Sequence, residues 1–177
     1  DYGEYAIWKS DVDKQKNFDE IKDLHRQIGF RLLLNENEIL KRDFDSIAIV
    51  GVENWGQTLR FQRLGDLDKA SKNLKNEDFK VLLSHDPSHF NVKVKTHPKN
   101  FHLTLSGHTH GLQFGIEIAN IFKWSPVQYV YKQWAGLYKD SGKYLYVNRG
   151  FGFHAYSGRV GIWPEITVLT LKKMQKS

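Results

Sequence analysis

At 177 residues, 40% of them hydrophobic and 14% aromatic, the chain has the length of one domain and enough apolar material for a packed core, which excludes a disordered or low-complexity protein. No window reaches the roughly 18 consecutive apolar residues that a membrane-crossing helix requires, and the absence of cysteine excludes disulfides and leaves any metal to His, Asp, Glu or Asn. The net charge of +6 favours an anionic partner, whether a phosphate ester, an acidic membrane surface or nucleic acid, without choosing among them.

The first residues, DYGEYAIWKSDVDK, lack the order of a signal peptide, and a chain that opens on Asp1 is expected to follow a removed upstream segment, which leaves localisation open. The run Asn17 to Gly29 predicts a helix: Asn17 as N-cap with Glu20 three residues on, Phe18, Ile21, Leu24 and Ile28 on one face, and Gly29 just past the end. FRLLLN and SIAIVGV predict strands. Asp66 is placed to cap a second helix with the stripe Leu67, Ala70 and Leu74, and Phe79 to Leu83 predicts another strand. FHLTLSG alternates Phe101, Leu103 and Leu105 with polar neighbours, the pattern of a strand with one face buried. Residues 122–134 are aromatic-rich and irregular, and Trp124, Tyr129, Tyr131, Trp134 and Tyr138 are read as core and hairpin packing. GLYKDSGKYLYVN then predicts a hairpin turning at KDSG, and EITVLTLKK a last strand. The alternation predicts an α/β layered fold, one domain over 1–177, with no repeat or linker.

Two predicted strands end alike, KVLL running into Ser84-His85-Asp86-Pro87 and LTL into Ser106-Gly107-His108-Thr109-His110. Carboxyl ends of neighbouring strands line one crevice in layered α/β folds, so His85, His108 and His110 are expected to converge there, and three imidazoles suit Zn, Mn, Fe or Ni. Gly107 and Gly111 are read as freeing the backbone so that the paired histidines aim at different points. The plainer reading is that all three histidines are hydrogen-bonded turn residues. His25, His89, His97, His102 and His154 are read as structural or surface residues, with His154, in its glycine-rich loop, the first exception to look for. Arg149 and Arg159 either meet a phosphate or pair with carboxylates. Glu53 and Asn54 either face the cleft or form an acidic-capped turn, and the basic runs KVKTHPK and LKKMQKS are read as solvated surface.

LLSHDP followed by LTLSGHTHG closely resembles the last two sequence blocks of calcineurin-like metallophosphoesterases. VNRGFG and RVGIWPEITVLTL resemble the C-terminal strands of the bacterial branch related to membrane-associated phosphohydrolases of the cell envelope, and GFRLLLNENEI to IAIVGVENW also fits. DYGEY resembles the stretch immediately after that family's G-N-H block, with Asp1 directly after the His. The resemblance implies a layered αββα sandwich of which this chain is the C-terminal portion only, the D-x-H, G-D-x-x-D and G-N-H blocks lying upstream. It implies that His85 and His108 bind one metal and His110 the other. The intact protein would hold two divalent ions (Mn, Fe or Zn) and this chain none or one. The implied activity is hydrolysis of a phosphomonoester, phosphodiester or pyrophosphate by metal-bound hydroxide, on a phosphorylated small-molecule or lipid-linked substrate. This portion alone is expected to be inactive, and the full-length protein to be associated with the membrane or envelope, or otherwise cytoplasmic. Loss of the N-terminal strands is expected to leave apolar surface, so that the chain self-associates or binds its missing half. The chain departs from the pattern at Leu112, where GHTHGLQ replaces the branch's frequent G-H-T-H-G-G-Q. Two rivals stand beside this reading: a basic, aromatic-rich module for nucleic acid or an anionic membrane, and a degenerate relative that uses the fold for interaction. Nucleic acid is disfavoured because no recognition motif occurs and the basic residues do not gather on one stripe.

Overall fold

The computed structural model describes residues 7–58, 62–118, 121–154 and 156–173, so the DYGEY stretch and the last four residues of the basic tail lie outside it. Ser10 opens the first helix, its hydroxyl accepting from the Asp13 amide at 3.1 Å, with Asp11 and Asp13 in the first turn where the helix dipole favours anions. Helix α1 (Asp11–Gln27) therefore starts nearly two turns before the expected Asn17, while Gly29, at φ +82°, ends it as expected. No residue of α1 is buried, and Leu24 and Ile28 of its apolar stripe face solvent. Among the described residues no helix is long and apolar enough to cross a membrane.

FRLLLN does not form the expected strand. Asn35 turns the chain at φ +58°, its buried side chain donating to Glu53 Oε2 (2.5 Å) and Leu64 O (3.0 Å) and accepting from the amides of Glu53 and Asp66. Pairing begins only beyond it, with β1 (Glu36–Arg42) antiparallel to β2 (Asp45–Gly51). Asp66 caps α2 (Leu67–Ala70) through the Lys69 amide, and Leu67, Ala70 and Leu74 are buried as expected, although the helix is one turn long. β3 (Lys80–Leu83), α3 (Ser88–Val92) and β4 (Leu103–Ser106) follow, then β5 (Ile116–Ile118), β6 (Phe122–Trp124), β7 (Gly136–Asp140) and β8 (Lys143–Val147). The last two form the expected hairpin, turning at Ser141 and Gly142, both at positive φ.

One six-stranded sheet has the order β1-β2-β3-β4-β8-β7, parallel through β2, β3, β4 and β8 with an antiparallel strand at each edge; β5 and β6 pair separately. This is the α/β class expected. One sheet face carries Ala48, Val50, Leu82, Leu145 and Val147 against Leu67, Leu74, Phe90, Val94 and Phe101. Burial of each large apolar side chain there contributes roughly 1.5–3 kcal/mol. Thr104 and Ser106 share this face, so β4 turns its polar alternation into the core and lays Leu103 and Leu105 on the opposite face. That opposite face is apolar as well, with Leu40, Leu83, Leu137 and Tyr144 exposed on it.

EITVLTLKK is not a strand, because its backbone finds no ladder partner among the described residues. It crosses the open face instead: Glu165 and Thr167 bond the Tyr146 hydroxyl, Asn148 donates to Thr167, and Lys173 reaches Asp45. The stretch 122–134 is more regular than expected, contributing β6 and a turn at Pro126–Tyr129. Of its aromatics Trp134 is buried with Val127, Ala135 and Ile162, whereas Tyr129 is exposed.

Candidate metal centre

Both histidine-bearing segments leave the sheet side by side. The ladder persists past the strands, with Ser84 N donating to Leu105 O (3.0 Å) and Gly107 N to His85 O (2.9 Å), and this brings the rings of His85 and His108 into edge contact at 5.2 Å and 83°. His108 sits at φ +68°, and His110, Gly111, Leu112 and Gln113 all have positive φ, so the chain reverses and the two histidines of GHTHG diverge. His108 turns to His85 and Tyr131, while the His110 ring lies 5.8 Å from that of His154. The expected divergence is present, but only Gly111 requires glycine. A Cβ there would stand 2.9 Å from Ile162 Cγ2 on a left-handed backbone, whereas a Cβ on Gly107 would meet ordinary contacts at 3.7 and 4.0 Å.

Burial lowers the pKa of His110, and His154, Arg159, His85 and His108 lower it further by their charge. Its Nδ1 is buried without a hydrogen-bond partner. His108 Nε2 lies 2.8 Å from the Tyr131 hydroxyl, which donates at 3.3 Å to Oδ2 of the buried Asp86; Asp86 Oδ1 accepts from Ser88 N at 2.7 Å. Two clefts flank the histidines. One of about 450 Å³ opens beside His108, His110 and His154, and one of about 410 Å³ beside His85 and Gly107.

Three supporting residues gave little sign in the sequence. Gln113, which ends GHTHGLQ, is buried and pins the loop that carries His154: its amide donates to Tyr156 O (2.9 Å) and Gly158 O, and its carbonyl accepts from His154 N. Asp86 stands beside His85 in SHDP, a signal available but unread, and Tyr131 has no motif around it. Arg149 pairs with carboxylates, Glu117 and Glu165, in line with the plainer of its two readings. Arg159 donates to the carbonyls of His110, Arg149 and Gly152. Glu53 accepts from Asn35 inside a turn. His25, His97 and His102 bond nearby backbone, as structural histidines do.

The chemistry of the donor set fits a transition metal: imidazoles, one of them with an unpartnered buried nitrogen. Its number falls short, for among the described residues no group of three or more His, Asp or Glu side chains is placed to hold a metal ion.

Comparison with known proteins gives three metallophosphoesterases. The uncharacterized metallophosphoesterase YkuE of Bacillus subtilis is 36% identical over 107 residues, 60% of this chain and 36% of that protein. An uncharacterized metallophosphoesterase of Aquifex aeolicus is 26% identical over 153 residues, 85% of this chain and 54% of that protein. The uncharacterized metallophosphoesterase Cj0846 of Campylobacter jejuni is 32% identical over 159 residues, 86% of this chain and 38% of that protein. This chain thus spans between about a third and about half of the curated relatives it matches. No family profile and no solved structure matches it.

Proposed function

We propose that this sequence relative of the metallophosphoesterases forms part of a metal-dependent phosphoester hydrolase, in which His85 and His108 ligate one divalent ion and His110 a second. The observation that supports the reading is the edge contact of the His85 and His108 rings at the exits of two adjacent parallel strands, with His110 two residues beyond His108 and its buried Nδ1 left unpartnered. When bound, divalent ions supply Lewis acidity toward the phosphoryl oxygens and make an attacking water more acidic. The chain's own part is placement. The left-handed turn at 110–113 separates His108 from His110, Arg159 holds that turn by its bond to the His110 carbonyl, and Gln113 keeps His154 beside it. The substrate is a phosphomonoester, phosphodiester or pyrophosphate, small or lipid-linked.

The remaining ligands come, in this reading, from protein outside these residues, which also covers the apolar sheet face around Leu83, Leu137 and Tyr144. The chain by itself is therefore expected to associate with further copies in light scattering and to lack hydrolytic activity. A monodisperse monomer that hydrolyses an aryl phosphate would contradict both expectations.

The function is tested on the intact protein by elemental analysis and by hydrolysis of an aryl phosphate ester. His108→Ala and His110→Ala are each expected to lower activity by more than the roughly 10–100-fold that accompanies loss of an outer hydrogen-bonding partner, and to lower bound metal in parallel. If both variants keep metal and activity, the assignment is wrong.

A further inference from the structure

The hairpin of β5 and β6 turns its polar side chains inward, Glu117 to Arg149 and Lys123 to the Ala135 carbonyl. Its register sets Ile116 opposite Trp124 and Ile118 opposite Phe122 on the other face, where Ile116, Ile118 and Phe122 are half-exposed and the neighbouring Ile121 is 81% exposed. Phe114, half-exposed in extended backbone two residues before Ile116, continues the row. There β5 meets a second segment: Phe114 bridges Val160, whose carbonyl accepts from Gly115 N at 2.9 Å and whose amide donates to Gln113 O at 2.8 Å. That segment exposes Val160 and Trp163, and the glycine-rich loop tied to it by Arg159 and Gln113 exposes Phe151 and Phe153. Contiguous apolar surface of this kind marks an interaction site, whereas apolar side chains scattered singly do not.

Charge decides what it meets. Between Gly107 and Pro164 the acidic residues are Glu117 and Asp140, both engaged in ion pairs, with Arg149 and Lys95. The same stretch carries Lys123, Lys132, Lys139, Lys143, Arg149 and Arg159, in a chain of net charge +6. A protein interface keeps a polar rim around its apolar centre, but here the hairpin's polar side chains turn away from the face. Exposed Phe and Trp in a basic stretch, with no carboxylate outside an ion pair among its described residues, complement the interfacial zone of an anionic bilayer. Aromatic rings settle there at headgroup depth, and cations are drawn to the anionic lipids.

We propose that the outward face of the β5–β6 hairpin, together with Phe151, Phe153 and Trp163, docks this protein on an anionic lipid bilayer, lying in its interface without crossing it. Phe114 and Val160 also line the cleft beside His110 and His154, so docking brings that cleft to the lipid surface. The proposal stands on exposed side chains and charge, and is independent of any metal.

Co-sedimentation of the 177-residue chain with vesicles tests it. Vesicles containing phosphatidylglycerol are expected to carry the chain down, and vesicles of phosphatidylcholine alone far less, with binding falling as salt rises. Ile118→Ser combined with Phe122→Ser should weaken binding at least about tenfold. Both side chains are exposed, so the melting temperature should barely move. Leu40→Ser combined with Leu137→Ser, on the open sheet face, should leave vesicle binding unchanged. Lipids brominated high on the acyl chain should quench tryptophan emission, and Trp163→Phe should remove a large part of that quenching, because Trp55 and Trp134 are buried. The proposal is overturned by a wild-type chain that ignores phosphatidylglycerol vesicles, by a hairpin variant that binds them like wild type, or by a loss that follows the sheet-face variant instead. If the hairpin variant abolishes self-association in light scattering while vesicles bind neither protein, a second copy occupies the face and the lipid reading fails.

Discussion

Replacing Arg149 by alanine is expected to destabilise the chain by about 3 kcal/mol, measured by urea unfolding, and to release the β5–β6 hairpin from the body. The Arg149 side chain is only 12% exposed and its guanidinium sits between two carboxylates, Glu117 of β5 (25%) and Glu165 (13%). Burial by itself would lower the Arg149 pKa, but the hydrogen bonds to Glu117 and Glu165 outweigh it and raise it. Removing one member of such a buried group leaves uncompensated charge, which costs roughly 3–5 kcal/mol when burial is complete, and the partial exposure of Glu117 places the effect at the lower end. Arg149→Lys keeps the charge but loses the two-pronged geometry, so it should fall between wild type and alanine. Hydrogen exchange in β5 and at 165–167 should rise in step. A loss below about 1 kcal/mol, the scale of a surface pair, would mean that the hairpin is held by something else.

The second large effect concerns acid. His89 is fully buried, stacked on Trp55 at 4.7 Å, with Nδ1 2.9 Å from the Ser84 hydroxyl. Burial, aided by the charges of Lys93 and His97, lowers its pKa to about 3. The unfolded state takes up a proton near the ordinary value of 6.5 and the folded state does not, so stability is complete above that value and is lost as pH falls toward about 3. Between about pH 7 and about pH 5 the chain should lose roughly 2 kcal/mol from this residue. His97 and His102, also lowered by burial, add to the same slope. His89→Phe keeps the stack on Trp55 and should flatten the dependence, while lowering stability at neutral pH because Ser84 loses its partner. If the variant shows the wild-type slope, the acid sensitivity lies elsewhere.

The parallel core was legible because its strands are short β-branched or leucine runs: SIAIVGV, FKVLL and LTL align with β2, β3 and β4 within a residue or two. So was the Asp66 cap, a local event needing only one side chain and one amide. β1 was not legible, because ENEILKR is an edge strand whose charges guard an open edge and erase the apolar signal. Nor was the failure of EITVLTLKK to pair, since alternation marks a residue pattern fit for a strand without supplying the neighbouring backbone. The β5–β6 hairpin inverts the usual rule. Glu117 and Lys123 share the inward face, bonding Arg149 and the Ala135 carbonyl, while Ile116, Ile118 and Phe122 face outward. In the candidate site, positions His85, His108 and His110 could be read from strand exits, whereas Tyr131 could not, because its role depends on a contact 23 residues away.

The crossing segment at 165–173 also bears on the order in which the chain folds. Its far anchor, Lys173 on Asp45, joins residues 128 apart, through an ion pair whose side chains are largely exposed. Closing a loop of that length costs about 4 kcal/mol before the constant term, and an exposed pair returns about 0–1 kcal/mol. The pair therefore cannot nucleate anything. The crossing has to wait until β2 and β8 already lie in one sheet, when the nearer bonds of Glu165 and Thr167 to Tyr146 shorten the distance left to span. The crossing segment is in that sense a late event laid upon a finished sheet, and the first part of the fold to open again.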